Sequence, residues 1–590
     1  MISLLVLDHV EAALAAAFAA AGLPTANARA VPCAKPELGD FQCTGAMAAA
    51  KALGKNPRTL ASAAAEALAG APGIASCDVA GPGFINIRVT AELLEQCARV
   101  QAEAPGLGVR SAAPTRRIML DYGGPNVAKA LHVGHLRSAV IGESLKRILR
   151  AQGHDVRADV HLGDWGTPMG MLISELARAC PDLPYFDPDR TSGYPEHSPV
   201  TSDDLARMYP AASAACKRDP ARMEAARKAT AELQAGRPGY RALWAHFRSV
   251  SVEQVRASFA ELGVGFDIWG GESDADPLIG PLISRLTRQG LCRESDGAVV
   301  VEVTRDGDAS PMPPLLLAKA DGGALYATTD LVTLAERVSG PEPAEEILYV
   351  VDQRQALHFE QVFRVARKAG LDGGALLEHV GFGTVNGPDG KPFKTRDGGV
   401  MPLSELLDAA VRKAAQRLEE SGHGACLSPD ERSGLARVIG IGALKFADLS
   451  SVRTSGYAFD ADRLVSFEGR TGPYVQYAAV RIRSMLDKAA ASGVAPGPIT
   501  IGTAAERDLA LACQAFGPAV AAAARKRTPS DVADHAFALS QAFSRFYAAC
   551  PVLQEEDPSI RSSRLTLCRL AHDVLVRALF LLGIEAPKRM

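Results

Sequence analysis

Asp121-Tyr-Gly-Gly-Pro-Asn-Val-Ala-Lys-Ala-Leu-His-Val-Gly-His135 is the stretch on which the reading of this chain turns. Apolar Ile118–Leu120 before it reads as a short buried strand. After it, apolar residues recur at helical spacing through Leu136, Val140, Ile141, Leu145, Ile148 and Leu149, stopping near Gly153. A strand that opens into a helix through a Gly- and Pro-broken loop aims backbone N–H groups and the positive end of the helix dipole at one point. Phosphate is the anion such a point holds. Two imidazoles, His132 and His135, stand at the same place and add donors that can follow charge onto a phosphoryl oxygen.

Working outward, Val156–Leu162 reads as a second strand, and strand–helix–strand alternation implies a right-handed parallel crossover. Val299–Val303, Leu315–Lys319 and Ile347–Val351 fit further strands with helices between them, whereas about 183–265 reads as a helical insertion. Residues 1–102 form an α+β module, ending in the Gly- and Pro-rich linker 103–115. The expected fold is therefore multidomain α/β: the N-terminal module, a Rossmann-like doubly wound domain over 116–403 with the insertion, and an all-α bundle over 404–590. No strand pattern of comparable strength follows Leu403.

At 590 residues, two to four domains are expected. A composition 47% apolar and 22% charged excludes collagen-like and disordered classes. The net charge of -3 gives no global sign of a polyanionic partner, so nucleic acid would have to meet local basic surface. The 11 cysteines, none spaced C-x-x-C, point to reduced thiols in a cytoplasmic protein and away from structural zinc. No signal peptide and no membrane-spanning run are expected.

His-x-Gly-His alone is a weak signal, because surface His pairs are common and often inert. The strand, loop and helix around it strengthen it. Far downstream, Gly387-Pro-Asp-Gly-Lys-Pro-Phe-Lys-Thr-Arg396 is a basic, glycine-bearing loop whose Lys391 and Lys394 suit a triphosphate losing pyrophosphate. Standing alone, this loop fits a solvated hairpin tip better.

Together these segments resemble the class I aminoacyl-tRNA synthetases, with their His-Ile-Gly-His and Lys-Met-Ser-Lys-Ser motifs, and within them the arginyl-tRNA synthetase family. The likeness extends to Gly163-Asp-Trp-Gly-Thr167, Leu325-Tyr-Ala-Thr-Thr-Asp330, Phe467-Glu-Gly-Arg-Thr-Gly-Pro-Tyr-Val-Gln-Tyr477, the terminal Leu582–Met590, and Glu37–Gln42 with Gly83–Asn86 in the N-terminal module. The resemblance implies an ATP-dependent ligase that converts L-arginine to arginyl-adenylate and passes it to the terminal ribose of tRNA(Arg). It implies ATP with Mg²⁺, no protein-bound metal, no membrane partner, and a monomer. His132, Gly134, His135 and Thr395 are carried over as ATP contacts, with Lys391 and Lys394 gripping pyrophosphate. The lysine loop departs from the family pattern, and its second lysine can fall on Lys394 or Thr395. Family members with a degenerate loop use a lysine just before the histidines, a place held here by Lys129. Pro168 stands where the family's Gly-Asp-Trp-Gly-Thr motif continues with Gln.

A guanidinium is a planar fork of donors, best met by a bidentate carboxylate and neutral acceptors. Tyr326 and Asp330, one helical turn apart, can face one pocket. By resemblance they contact the guanidinium, with Asn126 and Gln355 lining the site and Asp121 a further acidic candidate. The bland alternative makes Asp330 a helix N-terminal charge and Tyr326 core. For tRNA, Tyr474, Tyr477 and Arg481 fall on one helical face, Met590 ends the chain where the family approaches the anticodon, and Asn86 with Phe84 would touch the tRNA elbow. The bland reading of Tyr474, Tyr477 and Arg481 is a bundle stripe. Arg525-Lys-Arg527 is a weaker phosphate candidate. The rival functions are a catalytically silent tRNA-binding paralogue and another class I synthetase or nucleotidyltransferase.

Overall fold

A computed structural model describes residues 5–318, 325–387, 401–422 and 424–590. A five-stranded, wholly parallel sheet positions the cleft. Its order is Leu376–His379, Glu346–Val350, Arg117–Tyr122, Asp155–Leu162, Ile268–Gly271. From Arg117–Tyr122 the chain adds two strands on one side and later returns to add two on the other. The order therefore reverses beside Arg117–Tyr122, and the loop at its carboxyl end opens into the switch-point crevice where such sheets bind ligands.

The helix Val133–Ala151 is buried on almost every side, because the sheet covers one face and C-terminal helices cover the other. It crosses the first strand so closely that a Cβ on Gly142 would run into the Tyr122 ring. A residue with any side chain would force strand and helix apart.

The strands expected near 299–303 and 315–319 appear as Ala298–Val301 and Leu315–Ala318, but not in this sheet. Ala298–Val301 and Leu315–Ala318 join Cys292–Ser295 in a separate antiparallel sheet, with no helix between them. The cause is local: Asp296 and Gly297 both have positive φ, 52° and 78°, the two-residue Asp-Gly turn that closes a hairpin. Only Glu346–Val350 enters the parallel sheet, and its two edge strands, Ile268–Gly271 and Leu376–His379, were not legible.

The helices Ser202–Arg218, Pro220–Gln234 and Pro238–Glu261 stand in the connection from the strand Asp155–Leu162 to Ile268–Gly271. Seven long helices from Leu403–Ser421 to Pro558–Leu581 make the C-terminal bundle, against which the N-terminal four-stranded antiparallel sheet and its helices dock. Gln514 ties that docking: its side chain bonds Val6 N, the Cys97 carbonyl and Gln101. Among the described residues, no helix is long and apolar enough to cross a membrane.

Candidate active site

His132 is the N-cap of the helix Val133–Ala151. Its Nδ1 accepts the Gly134 N–H at 3.1 Å, and its own backbone N–H donates to Nδ1 of His135 at 3.0 Å. Each imidazole thus spends Nδ1 as an acceptor, so each neutral ring carries its proton on Nε2 and keeps a donor free of the backbone. The rings lie 4.0 Å apart. Burial, then Lys129, holds His132 below the ordinary histidine value. Burial and its neighbour His132 push His135 down to about 3. Both are therefore neutral donors at pH 7. Gly134 is required between them, since a Cβ there would meet the His132 ring at 2.8 Å.

The loops after the first and second strands zip together: Val127 N–H donates to the Gly163 carbonyl and Gly163 N–H to that of Pro125, each at 3.0 Å. This seats Asn126 against Gly163, where a Cβ would stand 2.5 Å from Asn126 Oδ1. Asp164, fully buried, accepts from Arg248 Nε at 2.9 Å and from Ser273 N and Oγ at 2.9 and 2.8 Å. One carboxylate so fastens the insertion and the helix Glu272–Arg288 to the floor of the cleft. Pro168 sits within the first turn of the helix Thr167–Ala179, where its missing N–H costs nothing. Ala128 is held at φ 64° with its N–H bound to Ser251 Oγ, and the next residue, Lys129, extends to 4.9 Å from the Tyr209 ring centroid.

Tyr326 opens the helix Tyr326–Ser339 and Asp330 stands one turn on; Thr328 Oγ1 pins that first turn to the Leu317 carbonyl. Tyr326 is 64% exposed. The Asp330 side chain keeps a quarter of its surface open, and its Oδ2 meets His358 Nε2 at 2.6 Å. Facing them is Glu272, a residue not legible as functional. Burial and the carboxylates of Asp164 and Asp330 push it up to about 7, against a backbone N–H from Trp165 and the charge of Lys129. Glu272 in turn helps raise the Tyr326 hydroxyl, after burial. Neither Glu272, an ordinary acid at a helix start, nor His358, within an amphipathic helix, carries a local signal.

Asp121 leaves the substrate set. Its Oδ2 is 2.7 Å from Arg337 Nη2, which also holds Asp159, so its charge is committed inside the domain. Gln355 lies exposed on the short turn leading into the helix Ala356–Ala369. Lys391, Lys394 and Thr395 lie outside the described residues. After them, Met401 and Leu403 are hydrogen-bonded to Val133 and Leu131, so the described chain resumes directly beside the histidines.

Asn86 is a second correction: it is 3% exposed and its Oδ1 accepts from Gln42 on the adjacent strand at 2.8 Å, so it lies within the sheet and presents little surface to RNA. Phe84 remains half-buried. Arg527 of the basic cluster is a clamp, paired with Glu346 and with Glu378 at 3.0 Å. On the helix Gly472–Ala491, Tyr474 is half-buried against Phe537, Tyr477 lies 6.4 Å from Phe467, and exposed Arg481 sits 4.1 Å over the Tyr547 ring. Met590 and Phe467 pack on the same apolar cluster, so Tyr477 and the terminal residue border one surface.

Three family models match the chain: an arginyl-tRNA synthetase N-terminal domain over residues 5–89, a class I (R) tRNA synthetase catalytic domain over 103–461, and a DALR anticodon-binding domain over 475–590. The chain is 52% identical to the arginine–tRNA ligase of Maricaulis maris and 50% to that of Hyphomonas neptunium, each over 99% of both chains. The Thermus thermophilus arginyl-tRNA synthetase structure shares its fold at TM-score 0.78 and 24% identity, covering 99% of this chain and all of that one. The Plasmodium falciparum structure does so at 0.79 and 21%, over 99% and 98%.

Proposed function

The chain belongs to the class I arginyl-tRNA synthetase family, an arginine–tRNA ligase enzyme, and on that premise we propose which of its groups carry the reaction. An oxygen of the arginine carboxylate attacks the ATP α-phosphorus, the bond to the β-phosphate oxygen breaks, and pyrophosphate leaves with its Mg²⁺. The terminal ribose hydroxyl of tRNA(Arg) then attacks the arginyl carbonyl, and AMP departs. Neither step asks the protein for a covalent bond, so positioning and electrostatics supply the acceleration.

His132 and His135 donate Nε2–H to the phosphate oxygens, aided by the N-terminus of their helix. As neutral donors they strengthen their bonds when charge develops on the phosphoryl oxygens and do not trap ground-state ATP. Lys129 supplies fixed positive charge, and Lys391 and Lys394 grip pyrophosphate. Asp330, Glu272 and the Tyr326 hydroxyl receive the guanidinium fork, while Asn126 and Gln355 serve the rest of the amino acid. Removing a guanidinium leaves acceptors that the bound substrate covers without a partner, which can reject lysine or citrulline by about 10⁴-fold without editing. For tRNA, Tyr477 and Arg481 beside Met590 are the stacking and phosphate groups of the anticodon region. The working states are a monomer and a cytoplasmic location.

The observation that supports this reading is electrostatic continuity: Lys129 acts on both histidines and on Glu272, Asp330 acts on Glu272, and Glu272 on Tyr326, so phosphate donors and acidic acceptors share one cleft. The test is arginine-dependent ATP–pyrophosphate exchange, with and without tRNA(Arg), across a panel of amino acids. Asp330→Asn is expected to raise KM for arginine far more than KM for ATP. Equal rises, or exchange driven by a different amino acid, would overturn the assignment.

A further inference from the structure

The helix Tyr326–Ser339 decides where Asp330 stands, but a carboxylate on a single methylene can still rotate, and its plane is set by its partners. That partner comes from the neighbouring helix. Nε2 of His358, in the first turn of Ala356–Ala369, lies 2.6 Å from Asp330 Oδ2. An ionised carboxylate only accepts hydrogen bonds, so Nε2 carries the proton in this contact. The imidazole is itself braced, standing edge-on to Phe359 at 5.3 Å and 78°. Phe359 is buried and stacks on His379.

We propose that His358 is a positioning residue for amino-acid selection: by occupying Asp330 Oδ2 it fixes the plane of the carboxylate so that its remaining acceptor sites meet a flat guanidinium. This deepens the assignment of Asp330 to the guanidinium and rests on it. The physical distinction lies between the two kinds of cation. A guanidinium is a rigid planar fork whose paired bonds require the carboxylate in its own plane. An ammonium is a point charge with rotatable donors and is indifferent to that plane. A tethered Asp330 therefore favours arginine over lysine beyond what charge alone achieves. Free rotation would return part of that advantage, while leaving the attraction for an ammonium intact.

The experiment uses the full chain with tRNA(Arg) in arginine-dependent pyrophosphate exchange. In His358→Ala, KM for arginine is expected to rise roughly 10-fold, the loss of one bond to a charged group. KM for ATP, and the inhibition constant for lysine, are expected to move less than twofold. His358→Gln, whose amide N–H reaches the Nε2 position, is expected to restore most of the arginine KM, and His358→Asn, too short to reach, is not. Because Gln and Asn are both polar and uncharged, that contrast stands even if the alanine variant folds poorly. In an Asp330→Asn background, His358→Ala is expected to add little. Parallel rises in both KM values, an unchanged arginine KM, or equal behaviour of Gln and Asn would overturn the proposal. If Asp330→Asn raises the arginine KM while the His358 variants do not, only the role of His358 fails. If Asp330→Asn leaves it unchanged, the guanidinium assignment fails first.

Discussion

Arg137 Nε lies 3.1 Å from Asp448 Oδ2, with each side chain only 1% exposed, and the pair joins the histidine-bearing helix to the C-terminal bundle. Arg137 also donates to the Ser455 carbonyl at 2.8 Å and lies over the Tyr457 ring. The histidine-bearing helix and the helix Pro429–Leu449 are thus fastened by a charge pair that water does not reach. Arg137→Ala is expected to cost on the order of 3–5 kcal/mol, since it strands the Asp448 carboxylate in a dry interface. An Arg137→Met, Asp448→Leu double variant should recover most of that. Thermal or urea unfolding of the three proteins checks it; a double variant no better than Arg137→Ala would refute the stranded-charge account.

The histidine pair makes a kinetic prediction. With His135 near 3 and His132 below its ordinary value, both are neutral at pH 7 and above. The maximal rate of pyrophosphate exchange should therefore show no histidine ionisation between pH 7 and 8.5. Replacing His132 by Ala removes one transition-state donor and should lower that rate by about 10²–10³-fold. Arginine binding, measured by KM, should stay close to wild type.

Glu272 predicts a pH dependence of opposite kind, in binding and not in rate. Its carboxyl is raised to about 7, and a bound guanidinium favours the ionised form. Below pH 7 arginine must displace a proton to bind, so KM for arginine should climb as pH falls, approaching tenfold per unit, and level off above 7. Glu272→Gln should erase the inflection. Initial rates at fixed ATP from pH 6 to 8.5 suffice, and a pH-independent arginine KM in the wild type would remove Glu272 from the site.

Lys129→Met should slow pyrophosphate exchange by roughly 10²-fold, the scale of one fixed charge at the reacting phosphate. A second readout separates this from a folding defect: Lys129 helps hold His132 low, so the variant's His132 should titrate closer to an ordinary imidazole by NMR. A variant with near-normal exchange would reject the role.

Much of the architecture was legible because it is locally encoded. Ile118–Leu120 lies within the first strand, and apolar spacing from Leu136 to Leu149 lies within the helix Val133–Ala151. The edge strands Ile268–Gly271 and Leu376–His379 carry no such signature; four residues become strands because a neighbour lends them its backbone. Antiparallel pairing of 298–301 has a local cause, the Asp296-Gly297 turn that joins it to 292–295. Asp121 and Asn86 looked like ligands since their partners, Arg337 and Gln42, lie 216 and 44 residues away.

The amino-acid order alone determined the histidine-bearing loop. With glycine between two histidines at a helix start, each Nδ1 takes a backbone N–H two or three residues away, a contact made within the local chain. Tertiary structure decided the charge of every group around it. Which carboxylate is spent on an internal arginine, which is raised by crowding and which is tethered by an imidazole all depend on distances between remote segments. Desolvation and Coulomb interaction act through space and leave no mark on the linear order of residues.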